Sequence, residues 1–354
     1  MTDPYIFDGH NDLLTKLFDA GGRAALPGVF DGRDGAIDLP KAEAGGFGGG
    51  FFACWVPSSD DQPMEDLFAL MRQPAYDIPL PAPVPQDKAL DIVLTQAALL
   101  LDLERQGALR LCRSTADIRA ARAEGKLAAI LHVEGAEVID SDFHALDVLY
   151  AAGLRSLGPV WSRPTIYGHG VPFRFPSGPD TGPGLTPDGI RLIQACDARR
   201  IMIDLSHLNE AGFWDVANYS TQPLVATHSN PHALCTHARN LTDRQLDAIA
   251  ERDGLVGLNF AVSFLREDGR KLADTPVDQM LRHLDHLIER LGEDRIGLGS
   301  DYDGAVVPEA LTTIADLPVL RQAMRDHGYG EELVTKICHG NWLALLDRVW
   351  DASA

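Results

Sequence analysis

The chain has 354 residues, 45% hydrophobic and 23% charged, with 51 acidic against 31 basic side chains and a formal charge of −20. That length suits one large barrel or two modest domains, and the composition excludes a disordered chain. So acidic a surface repels phosphate backbones and anionic lipid, which excludes nucleic acid and polybasic membrane anchoring as expected partners.

No apolar run approaches the roughly 20 residues of a membrane span. Met1-Thr2-Asp3-Pro4 lacks the basic start and apolar core of a signal peptide, and the tail 350–354 lacks a lipid-anchor signal. Cys54, Cys112, Cys196, Cys235 and Cys338 are scattered and never in C-x-x-C spacing. They read as thiols in a reducing compartment, so the expected location is the cytoplasm.

Eight β-like runs follow in order: 5–12, 50–56, 128–135, 154–161, 201–207, 223–228, 254–260 and 295–301. Near-continuous apolar stretches such as Ala128-Ala129-Ile130-Leu131 and Leu255-Val256-Gly257-Leu258 predict strands buried on both faces of a parallel sheet. Helical patterns fall at 87–106, 114–124, 142–151, 186–199, 209–218, 242–251 and 277–291, with a closing set at 314–327, 330–339 and 341–349. Ser114 with Asp117, and Thr242 with Gln245, have the spacing of helix-start caps. Eight strands alternating with helices predict a (β/α)8 TIM barrel, with a doubly wound open sheet as the alternative. No G-x-G-x-x-G turn supports that alternative. The glycines of Gly45-Gly46-Phe47-Gly48-Gly49-Gly50 read as a flexible lead into the second strand. The expected unit is one domain over 1–354. Insertions near 20–49, 58–86 (with a short helical piece at 64–71) and 162–186 are placed to cover one end.

In a closed barrel the strand ends share one mouth. The first strand ends in His10 and Asp12, two residues apart and on one face, with Asp8 and Asn11 expected to brace the turn. The third contributes His132 and Glu134, the fifth His207, the sixth His228 and the eighth Asp301. His10, His207 and His228 with Asp12, Glu134 and Asp301 match the ligand set of a divalent pair, zinc first among candidates. Burying so many ionisable groups without a partner would be costly. His132 reads as support behind the ligands. His232 and His237 read as cap or substrate-pocket residues, His169 as a loop residue, and His283 and His286 as the surface or interface side of a helix. Cys54 and Cys235 could line a pocket, but no histidine-paired thiolate pattern and no G-x-S-x-G elbow is present.

Asp8-Gly9-His10-Asn11-Asp12, His132-Val133-Glu134-Gly135, Asp204-Leu205-Ser206-His207, Thr227-His228-Ser229-Asn230, Arg239-Asn240-Leu241 and Gly299-Ser300-Asp301-Tyr302-Asp303-Gly304 together resemble the membrane (renal) dipeptidase family. The resemblance runs from the first strand to the eighth. It implies a (β/α)8 zinc enzyme of the amidohydrolase type. His10 and Asp12 would hold one zinc, His207 and His228 the other, and Glu134 would bridge them, with a hydroxide as second bridge. Asp301 would orient that water, take its proton and pass it to the departing amine. Arg239 would grip the substrate carboxylate through its planar fork, unless it is a surface arginine at the helix near Thr242. The resemblance also implies a homodimer. One departure stands out: Trp161 occupies the end of the fourth strand, where family members often carry a histidine, and an indole cannot take a proton. The expected activity is hydrolysis of dipeptides, L-Xaa-D-Xaa included. Trp161 favours the alternative of another small amide such as an N-acyl amino acid. A metal-binding or regulatory protein without catalysis is the reading from another class, and the presence of Asp301 argues against it.

Overall fold

The computed structural model describes residues 3–58 and 68–350 of the chain. Eight parallel strands form its centre: β1 Ile6–Asn11, β2 Phe47–Trp55, β3 Leu127–Glu134, β4 Leu154–Gly158, β5 Met202–Ile203, β6 Val225–Ala226, β7 Leu255–Asn259 and β8 Ile296–Gly299. They pair in the order β5-β4-β3-β2-β1-β8-β7-β6. A parallel bridge from Asp204 to Val225 joins the two ends, and the Leu205 N–H donates to the Val225 carbonyl at 2.8 Å. The ring therefore closes into a (β/α)8 barrel, and the open-sheet alternative falls.

Every residue of β1, β3, β7 and β8 is buried, as strands covered on both faces require. Phe7, Phe51, Ile130, Met202 and Leu255 fill the interior, and Trp342 of the last helix plugs it from below. Trp342 Nε1 donates to the Leu298 carbonyl at 3.0 Å. Helices Gln86–Arg105, Thr115–Ala123, His144–Ala152, Pro187–Arg199, Glu210–Tyr219, Asp243–Glu251 and Val277–Leu291 lie close to their expected positions. Ser114 caps its helix, and Thr242 with Gln245 closes a full capping box.

Three expectations change. Gly48, Gly49 and Gly50 are inside β2, not a flexible lead. A Cβ on Gly49 would run into the Ala128 backbone and one on Gly50 into the Asp8 backbone, so close strand approach selects glycine here. Leu109–Leu111, outside the eight expected runs, is a short strand pairing with β3. Segment 20–49 is folded, with helical turns at Gly22–Ala25, Pro27–Asp31 and Leu39–Gly45. His283 is fully buried, its Nε2 2.8 Å from the Leu265 carbonyl, because the helix turns it toward the barrel with Leu284 and Leu287.

The first half of the short helical piece expected at 64–71 lies outside the described residues, and 68–70 are helical. Beyond it, Tyr76–Ile78 pairs antiparallel with Phe173–Phe175, so two insertions meet in a ribbon. Met71, Tyr76, Trp161, Phe173, Cys235 and Phe264 form an apolar cluster there. Among the described residues no helix is long and apolar enough to cross a membrane.

Candidate metal centre and active site

Strand geometry brings the ionisable ends together. Glu134, at the end of β3, extends Oε2 toward His10 Nε2 (3.7 Å) and Oε1 toward His207 Nε2 (3.0 Å) and His228 Nε2 (3.4 Å). Asp12 Oδ2 is 3.5 Å from His10 Nε2. Two donor groups result, His10–Asp12–Glu134 and Glu134–His207–His228, with Asp301 beside His10 and His228. The five residues of the two donor groups are nearly or wholly buried, and Asp301 is partly exposed.

The hydrogen bonds behind the ligands set their orientation. Thr227 Oγ1 donates to Asp204 Oδ2 at 2.5 Å, so it must accept from His228 Nδ1 at 2.8 Å. That assignment places the proton on Nδ1 and leaves Nε2 a lone pair. Ser162 Oγ lies 2.8 Å from His207 Nδ1. The Nε2 atoms of His207 and His228 are 3.2 Å apart and share the Glu134 oxygen. Lone pairs and a carboxylate oxygen converging in a buried space repel one another unless a cation sits between them. On the other side both ring nitrogens of His10 are buried without a hydrogen-bond partner. The residues thus fit a pair of divalent ions.

The electrostatics agree. Burial pushes the Glu134 carboxyl well above its ordinary range, with the charges of Asp12, Asp301 and Asp204 adding and His10 opposing. Burial pulls His10 down, but Glu134 and Asp12 outweigh it and hold its imidazole at about 10. The site draws positive charge. His207 and His228 are driven well below the usual range by burial and by neighbouring cations, which keeps them neutral for ligation.

Asp301 sits in a left-handed turn (φ 61°) just after β8, its N–H donating to the His10 carbonyl at 3.0 Å. Asn259 Nδ2 donates to Asp301 Oδ2 at 3.1 Å, and burial raises the carboxyl above its ordinary value. His207 also has positive φ, 69°. Such backbone is costly for a side-chain-bearing residue and is held by the surrounding structure.

Arg239 is 4% exposed, which rules out the surface-capping alternative. Its guanidinium donates to Ser229 Oγ (2.7 Å) and the His228 carbonyl (2.8 Å), while Nε has no partner. Burial pulls its pKa down to about 10, against the attraction of Asp204, Asp301 and Glu134. Trp161 stands beside the site, 5.8 Å from His207 and packed between Trp55 and Phe173. His132 sits behind His10, its Nδ1 2.9 Å from Ser156 Oγ. His237 Nδ1 accepts the Arg239 N–H at 2.9 Å, and His232 reaches the Ser177 carbonyl at 2.8 Å. His169 remains a loop residue, 3.4 Å from the Gly184 carbonyl.

Sequence reasoning missed several supports. Ser162, Thr227 and Asp204 hold the histidines, and Asn259 holds Asp301. Asp8, expected to brace the turn, accepts from the Ser300 N–H and hydroxyl at 2.7 Å each. A buried ion pair, Arg163 with Glu137 at 2.7 Å, ties the loops after β3 and β4, and Arg163 also donates to the Val56 carbonyl. Asp204 and Thr227 stand inside the quoted motifs, whereas Ser162, Arg163 and Asn259 lie far from any of them, and single polar side chains carry no periodic signal.

A (β/α)8 barrel with two histidine–carboxylate groups sharing one glutamate at its mouth is a metal-dependent hydrolase. Comparison with known proteins makes this specific. A sequence model of the membrane dipeptidases, peptidase family M19, matches residues 1–354, and the chain belongs to that family. It is 51% identical, over 99% of this chain and 100% of the other, to a Rhodobacter sphaeroides metallo peptidase crystallised with a phosphinate mimic of the dipeptide L-Ala-D-Ala (TM-score 0.96). A second solved structure, the family M19 metallo peptidase dipeptidase AC, has the same identity and coverage with a TM-score of 0.95. An uncharacterized Klebsiella pneumoniae protein from the pqqA 5′ region is 48% identical over 75% of this chain and 99% of its own length. The protein is a metallo-dipeptidase by family, and a hydrolase.

Proposed function

We propose that this protein cleaves the amide bond of dipeptides at a two-zinc centre and accepts a D-residue at the carboxyl-terminal position. The observation that carries the reading is Glu134, whose two carboxylate oxygens face two separate histidine groups. His10 and Asp12 would hold one zinc, His207 and His228 the other, with Glu134 between them. When bound, the pair supplies a water acidic enough to ionise near neutral pH and positive charge for the scissile carbonyl.

The chain's own groups do the rest. Asp301, held by Asn259, accepts the proton of the attacking water and delivers it to the departing nitrogen. A raised carboxyl pKa suits a group that must first take and then give a proton. Arg239, a buried cation without a carboxylate partner among the described residues, binds the free carboxylate of the substrate. Trp161, Phe173 and Phe264 wall the site and keep water from the reacting bond. Trp161 can donate a hydrogen bond but cannot take up a proton, so acid–base work rests on Asp301. The rhodobacterial relative bound a mimic of L-Ala-D-Ala, which supports the stereochemical part of the reading.

The reading includes a single domain, a cytoplasmic location suggested by the scattered cysteines and, by family resemblance, a homodimer. A panel of L-Ala-L-Ala, L-Ala-D-Ala and N-acetyl-alanine tests the substrate. Cleavage of both dipeptides and not of the acylated amino acid is expected, and the reverse would replace dipeptides with N-acyl amino acids.

A further inference from the structure

Beside the barrel mouth lies a pocket of about 320 Å³ that the metal-centre assignments leave unused. Its described lining combines the apolar Phe68, Leu272 and Val306 with two cations, Arg72 and Lys271. The space is comparable to the lower end of small-ligand sites and can take one side chain. Val306 places the pocket next to the proposed proton carrier: it directly follows Ala305, whose N–H donates to the Asp301 carbonyl at 2.9 Å. Lys271 is close enough to Asp301 to be attracted by it.

The backbone segments that carry the two cations are tied together. The Lys271 N–H donates to the Met71 carbonyl at 2.8 Å, and Arg270 Nε donates to the Arg72 carbonyl at 2.8 Å, clipping the two segments together. Lys271 Nζ stands 4.3 Å from the centre of the Phe68 ring. Neither cation forms an ion pair with a described carboxylate. Three nearby carboxylates are already paired, Asp268 and Asp274 with Arg266 and Asp77 with Arg174. Arg72 and Lys271 therefore repel each other in a partly apolar pocket, on a protein whose formal charge is −20. An entering anion would relieve that repulsion, and the apolar lining strengthens its attraction.

We infer that Lys271 and Arg72 form a specificity subsite for a second carboxylate on the dipeptide, carried by a glutamyl or aspartyl side chain and separate from the carboxylate assigned to Arg239. This inference rests on the dipeptidase reading above. The amide of the same side chain has equal size and lacks the charge, so it is the control.

The test compares kcat/KM for L-Glu-L-Ala against L-Gln-L-Ala, and L-Ala-L-Glu against L-Ala-L-Gln, on the zinc-loaded full-length enzyme. At least one acidic member should exceed its amide by about tenfold, the worth of one charge-assisted contact. Which pair shows it assigns the side chain to the amino- or carboxyl-terminal residue. In Lys271→Gln and in Arg72→Gln the ratio should fall toward one, and Lys271→Glu should turn it against the acid. Zinc content of each variant confirms an intact fold. Equal cleavage of acid and amide by the parent, or a preference unchanged in both glutamine variants, overturns the subsite and leaves the dipeptidase reading standing. No cleavage of any dipeptide takes down both.

Discussion

Glu134 concentrates the chemistry at the scale of single residues. A carboxylate at the end of β3 that faces histidines on both sides holds its place only if positive charge accompanies it, because burial alone drives it toward the neutral acid. Asp301 differs in that it has the Asn259 amide as partner and sits at the edge of the ligand set. Asp301→Asn should therefore keep the metal content of the parent while turnover falls by about two to four orders of magnitude. A variant with parental turnover would remove Asp301 from acid–base catalysis. Thr227 makes a second case. Its hydroxyl accepts a hydrogen bond from His228 Nδ1–H and donates one to Asp204, so Thr227→Val should weaken zinc affinity by about 10–100-fold, read in a chelator competition titration. Unchanged affinity would mean that strand packing alone orients His228.

The elements show which parts of the fold can be read from sequence. Long apolar runs gave all eight strands, because burial on both faces leaves an unbroken pattern. β5 and β6 keep only two ladder residues each, yet their runs were legible since the following side chains, Asp204 and Thr227, continue the pairing through hydrogen bonds. The glycines of β2 were misread because glycine signals both freedom and close approach, and only the neighbouring strand decides between them. The ribbon of Tyr76–Ile78 with Phe173–Phe175 joins segments about a hundred residues apart and leaves no local signal. His283 illustrates a misread helix face. Burial holds its imidazole down at about 4, while the unfolded chain protonates near the ordinary histidine value of about 6.5. Below about pH 6.5 the unfolded state binds the extra proton, so stability drains as pH falls toward 4. Denaturant midpoints across that window should fall less steeply for His283→Gln than for the parent. Parallel slopes would show that His283 is protonated in the folded protein.

Across the whole molecule, the proposed metal ligands stand where strands from around the barrel end, so they are far apart in sequence and share one space only on closure. The order of motifs made that convergence legible before the barrel was seen. The hydroxyls and amides behind the ligands, and the cationic pocket beside Asp301, were not legible, because they depend on which loops fold over the mouth. Buried like charges also couple metal to stability. Removing zinc should lower the melting temperature, since the cation offsets repulsion among Glu134, Asp12 and Asp301.

Metal content by elemental analysis, paired with dipeptide hydrolysis before and after chelation, tests the central claim most directly. About two zinc per chain, with cleavage lost on chelation and restored by zinc, is the predicted result. A folded protein that cleaves dipeptides without stoichiometric metal would contradict it.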